Sequence, residues 1–160
     1  MKRFKSNGDG TVTDGRTGLM WVKDGKSVGC NNGERLDWKS AIKFCKELAF
    51  AGHKDWRLPN ANELQTIIDY GKYSPAINTD FTNTVNSGYW TDTPCLTVPG
   101  TYAWYVYFGN GSVETSYQFN TNYVRPVRGI IPPGTLNPPI KKHGGIKQKR
   151  KGIKNERKSS

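Results

Sequence analysis

Trp104-Tyr105-Val106-Tyr107-Phe108, followed by Gly109-Asn110-Gly111, is the stretch that decides the fold. Its period is two. Trp104, Val106 and Phe108 share one side of an extended chain, and Tyr105 and Tyr107 share the other. The Gly-Asn-Gly that follows is hairpin chemistry, because both residue types tolerate positive φ. Ser112–Phe119 is then the returning strand, Asn120-Thr121-Asn122 turns again, and Tyr123–Arg128 makes a last strand. This half of the chain therefore predicts an antiparallel meander.

Upstream, the periodicity changes. Asp37 stands at an N-cap position, and Trp38, Ala41, Ile42, Cys45, Leu48 and Ala49 recur at helical spacing. Lys39, Lys43, Lys46 and Glu47 take the other side, and Gly52 suits a C-terminal cap, so a helix is expected over 38–51. Asn60 with Glu63 forms a capping-box pattern ahead of Leu64, Ile67 and Ile68, which starts a second helix that Gly71 would end. Pro59 keeps Leu58 extended between the two. Further upstream, Asn7-Gly8-Asp9-Gly10 and Asp14-Gly15-Arg16-Thr17-Gly18 are turns around the short strands Thr11–Thr13 and Leu19–Val22. Residues 72–100 read as a long loop carrying one short strand, Tyr89–Thr91. Strands, two helices, then strands again make an α+β order and not an alternating βαβ one.

The chain has 160 residues and a formal net charge of +11. That length allows one domain with an appendage. The charge is unevenly placed. Residues 141–160 hold nine Lys/Arg against Glu156, whereas residues 1–140 hold fifteen basic and twelve acidic residues. Pro132, Pro133, Pro138 and Pro139 mark a linker, so the boundary is set at 1–129 for the domain and 130–160 for a linker and basic tail, expected to be disordered. Lys141, Lys142, Lys147, Lys149, Arg150 and Lys151 would contact a polyanion in a salt-dependent way. The tail has no aromatic residue for base stacking, and phosphate contacts carry no sequence information, so specific nucleic-acid readout is not expected. No apolar run approaches the ~18 residues of a membrane span. The basic start MKRFKSNGDG lacks an apolar continuation, so the chain as given reads without a secretory signal.

Chemistry-bearing motifs are sparse. The Asn7–Gly10 run resembles a calcium loop, but Lys5 and Arg16 occupy ligand positions of that pattern, which favours a plain turn. The spacing of the cysteines and histidines fits no zinc site. Thus no metal or cofactor is expected. A Cys30–Cys45 bridge would tie the Gly- and Asn-rich loop to the helix; Cys45 equally suits a small buried hydrophobe, and a fully reduced set is the other alternative. His53 is the sole histidine before the tail, with no nucleophile assigned to it, which argues against an enzyme. The five tryptophans read as core or half-buried packing residues. Arg57, Arg125 and Arg128 read as ties to carboxylates or carbonyls. The candidate ligand-binding residues are Tyr105 and Tyr107 on the outward side of the meander, with Glu114, Tyr117, Gln118, Asn120 and Asn122 near them in sequence. Tyrosine rings give contact area at low entropy cost, and amides adapt their hydrogen bonds.

Several segments in order resemble one family: Asn7–Asp14, Thr17–Trp21, Trp38–Cys45, Asp55-Trp56-Arg57-Leu58-Pro59-Asn60 with Glu63-Leu64, Pro75–Asn78, Tyr89-Trp90, Ala103–Phe108 and Tyr123–Arg128. Over about residues 3–129 the chain resembles the Lcl C-terminal domain family, the terminal domain type of a Legionella collagen-like adhesin. The resemblance implies a C-type-lectin-like α+β fold, extracellular adhesion to a glycan or cell-surface protein, and a homotrimer. Similar lectin-type domains serve as variable receptors of diversity-generating retroelements, which implies a protein ligand as the alternative. The fold is shared with formylglycine-generating enzymes, whose paired cysteines have no counterpart beside Cys95.

Overall fold

The computed structural model describes residues 2–133. In chain order these form β1 (Phe4–Ser6), β2 (Thr11–Asp14), β3 (Met20–Val22), a 3-10 segment (Val28–Gly33), α1 (Trp38–Glu47), α2 (Ala61–Gln65), β4 (Gly88–Pro94), β5 (Tyr102–Tyr107), β6 (Ser112–Tyr117) and β7 (Val127–Arg128). Two antiparallel sheets result, in the orders β1-β2-β3-β7 and β4-β5-β6. The class is α+β.

The first sheet follows from its turns. Asp9 Oδ1 accepts from the backbone N–H of Thr11 at 3.0 Å and from its hydroxyl at 2.6 Å, which closes the β1–β2 turn. The Asp9 carboxylate is thus occupied with its own loop. Asp14, fully buried, accepts from Arg3 Nε and Nη2 and from the Thr17 hydroxyl. Arg3 and these hydrogen bonds outweigh the cost of burial and hold its carboxyl below the usual carboxylate range.

The helices begin where expected and stop early. Asp37 caps α1 by accepting from Ser40 N at 3.0 Å. The helix ends at Glu47, short of residue 51, because the chain must turn inward at Phe50. Phe50 lies edge-on to Trp56 at 6.1 Å, and backbone bonds join Phe50 and His53 across a tight turn. Asn60 and Glu63 form the full capping box of α2, but this helix stops at Gln65 instead of running toward Gly71. Ile68 there pairs with Ile77 and Asp69 N bonds to Ala76 O, so the following loop is laced to the core.

Two expectations about the C-terminal half need correction. β4 runs from Gly88 to Pro94, longer than Tyr89–Thr91. The last strand is only Val127–Arg128, and it leaves the meander to pair with β3. Trp104 is half-buried, within the expectation for the tryptophans. The β4–β6 sheet has packing on both sides. Tyr89, Val106 and Phe108 join Leu64, Ile67 and Trp21 in one cluster, while Trp90 and Ala103 join Ala41, Cys45 and Leu58 of the α1 side in another. Two indoles stitch α1 to β4: Trp38 Nε1 donates to Thr91 O at 2.7 Å, and Trp90 Nε1 to Leu36 O at 2.8 Å.

Arginines tie the loops, as expected. Arg57 makes a bidentate pair with the buried Glu63 (2.7 and 2.6 Å), and Arg128 pairs with Asp55 (2.7 and 3.0 Å). Arg125 is fully buried and donates to Val22 O, Lys23 O and Thr84 Oγ1, with Phe81 and Tyr89 rings each 5.8 Å away. The cysteines are all free thiols, so the Cys30–Cys45 bridge is not formed. Cys30 packs with Val22 and Trp56, whereas Cys45 belongs to the α1 cluster as a small hydrophobe. Burial pushes the Cys30 thiol up to about 11.

Candidate functional site

Antiparallel register decides which meander residues share a side, because directly paired residues project together. Tyr105 pairs with Glu114, Tyr107 with Ser112 and Ala103 with Ser116. Tyr102 pairs with Tyr117, Trp104 with Thr115 and Val106 with Val113, on the opposite side. The seven sequence-derived residues therefore do not form one patch.

Tyr105, Tyr107, Asn120 and Asn122 do come together. With Arg35, Ser87, Gly88, Ser116 and Thr121 they line a shallow groove of about 410 Å³. Its geometry has a local cause. Leu36 and Asn122 exchange both backbone hydrogen bonds at 2.9 and 3.0 Å, and Trp38 N donates to Gln118 O at 3.0 Å. This lashes the 118–122 turn to the entry of α1 and sets Arg35 beside the amides. Gly88 is needed beneath them. A Cβ there would lie 2.5 Å from Asn122 Oδ1 and 2.8 Å from Tyr105 Cδ2.

Glu114 sits one step back from the groove. Its carboxylate accepts from the Tyr105 hydroxyl at 2.8 Å and the Ser112 hydroxyl at 2.7 Å. Those two donors hold the carboxyl below its usual range. Burial, and then the hydrogen bond and charge of Glu114, push the Tyr105 phenol up to about 12. Glu114 thus orients a ring and is not itself a groove-lining residue.

Two residues fall elsewhere. Gln118 is buried, its Nε2 donating to Tyr102 O at 3.3 Å, so it closes the end of the hairpin. Tyr117 is on the far side of the sheet, stacked on Phe119 at 5.0 Å and tilted against Tyr102 at 4.4 Å. Lys141, Lys142, Lys147, Lys149, Arg150 and Lys151 lie outside the described residues.

Sequence reasoning missed Arg35, Ser87 and Ser116. Ser116 was legible, since it stands two residues from Glu114 on a strand. Arg35 and Ser87 were not, because only the folded chain brings positions 52 residues apart together: Arg35 Nη2 donates to Ser87 Oγ at 3.2 Å. The Arg35 guanidinium also lies 5.1 Å from the Tyr123 ring centroid. Arg35 is the one charged residue lining the groove among the described residues. An exposed Arg beside rings and amides can take an anionic substituent on a ligand whose remainder is polar and uncharged.

One family model, that of the Lcl C-terminal domain, matches residues 10–128. The chain belongs to the Lcl C-terminal domain family. No curated protein matches it. In this Lcl C-terminal domain the matched span opens at the β1–β2 turn and closes on β7, the strand that returns to the first sheet. The family is adhesin-associated. No helix among the described residues is long and apolar enough to cross a membrane.

Proposed function

We propose that this domain is a non-enzymatic attachment module of C-type-lectin-like architecture that binds a glycan surface through the Tyr105–Tyr107 groove. The observation that carries the reading is the composition of that groove: two tyrosine rings, the Asn120 and Asn122 amides, and one exposed guanidinium, Arg35, over one face of the β4-β5-β6 sheet. Rings meet the C–H faces of sugars, amides meet hydroxyls, and the guanidinium meets a sulfate or carboxylate. The binding chemistry needs no proton transfer, and Glu114 is already committed to Tyr105 and Ser112.

A glycan array that includes sulfated and carboxylated polymers tests this. The wild-type domain is expected to bind an anionic glycan, more weakly as salt rises, and the Tyr105→Ala/Tyr107→Ala double variant is expected to lose that binding. Absence of glycan binding, together with unchanged cell-surface attachment by the double variant, would defeat the proposal. Attachment that depends on Tyr105 and Tyr107 without any glycan would transfer the site to a protein ligand.

A further inference from the structure

The opposite side of the β4–β5–β6 sheet carries a second and larger groove. It lies where α2 meets the β5–β6 hairpin and encloses about 620 Å³, a volume typical of small-ligand sites. Half-buried Trp104 lines it from the sheet and Tyr70 from the segment after α2. Its polar lining residues include Asn62, Gln65 and Asn110, with Thr93 and Ser112, and none of its lining residues among those described is Asp, Glu, Lys, Arg or His.

That lining is selective by its chemistry. An anion entering it would lose hydration and find no cation. A purely apolar ligand would leave the amides without hydrogen-bond partners. A sugar hydroxyl donates and accepts, and so does a side-chain amide, while a pyranose C–H face suits an indole ring. The lining is also partly set in advance. Gln65 Nε2 donates to Ala61 O at 2.9 Å, and Asn110 Oδ1 accepts from Ser112 N at 2.9 Å, which leaves the Asn110 NH₂ for a ligand. Gly111, at φ +81°, lets Tyr70 close over the hairpin turn: a Cβ there would sit 2.9 Å from the Tyr70 ring and 2.6 Å from Ile68 Cγ2.

We infer that this groove binds an uncharged oligosaccharide, with Trp104 as its stacking platform and Asn62, Gln65 and Asn110 as its hydroxyl partners. The site is separate from the Arg35 groove, and neither proposal depends on the other.

The test uses the full chain on an array of unsulfated gluco-, manno-, galacto- and N-acetylglucosamino-oligosaccharides, followed by calorimetric titration of those retained. At least one is expected to bind with little salt dependence. Trp104→Ala should weaken it at least about tenfold, Trp104→Phe less, and Tyr107→Ala not at all. Asn62, exposed on a helix, supplies a variant that leaves the core untouched, and Asn62→Ala should weaken binding about threefold, the loss of one neutral hydrogen bond. Failure of every such oligosaccharide to bind the folded protein overturns the inference. Binding that survives Trp104→Ala or Asn62→Ala, or that falls with Tyr107→Ala, does so too. Loss of sulfated-glycan binding in Tyr107→Ala, with neutral binding retained, separates the two grooves.

Discussion

The first sheet and the C-terminal meander use the same residue types for opposite ends. Around β1-β2-β3-β7, Arg3 is paired with Asp14, Arg57 with Glu63 and Arg128 with Asp55, and Arg125 is sealed beneath two rings. In the meander, one carboxylate, Glu114, braces one ring, and the neighbouring Arg35, Tyr107, Asn120 and Asn122 line an open groove. The lesson concerns where polar groups are spent. A buried charge must be satisfied by the fold itself, whereas a braced, exposed one can be offered to a ligand.

If this division is right, damage to the first region should cost stability, and damage to the second should cost binding. Trp21→Ala, which removes a fully buried indole from β3, should lose about 4 kcal/mol in a denaturant melt and leave little folded protein. Glu63→Ala should cost about 3 kcal/mol, because it strands Arg57 and breaks the capping box together. A melt within about 0.5 kcal/mol of wild type would mean that the pair is not structural. Asn60→Ala, which removes only the cap, should cost about 1 kcal/mol. Alkaline pH probes the brace. The Tyr105 phenol is raised in the folded state, so its stabilisation is complete below the ordinary phenol value of about 10 and is lost as pH rises through about 12. Tyr105→Phe should flatten that alkaline fall in stability, read by melts across this window. At the small end, Lys43→Ala, on an exposed helix pair, should change stability by less than about 0.5 kcal/mol.

Much of this was legible locally. The capping signals at Asp37 and Asn60 work within three residues, so the sequence displays both partners of each bond. The alternation at 104–108 likewise predicts which rings share a side, and Tyr105 and Tyr107 do line a common groove. Helix ends were less legible: Leu48 and Ala49 continue the apolar spacing, yet α1 stops at Glu47, where the chain leaves the helix for the Phe50–His53 turn and sets Phe50 against Trp56. The candidate site was half legible. Tyr117 and Gln118 follow Glu114 closely in sequence, but strand alternation turns Tyr117 to the far side and hairpin closure buries Gln118.

By itself, then, the sequence determined the α+β order, the helix starts, the turns and the family, because each rests on short-range spacing or ordered motifs. Only the tertiary structure decided that Val127–Arg128 joins β3, that the meander is packed on both sides, and that Arg35 meets Ser87. Those outcomes depend on contacts between segments far apart in the chain. No local pattern of residues encodes which distant strand or loop will complete a sheet or a groove.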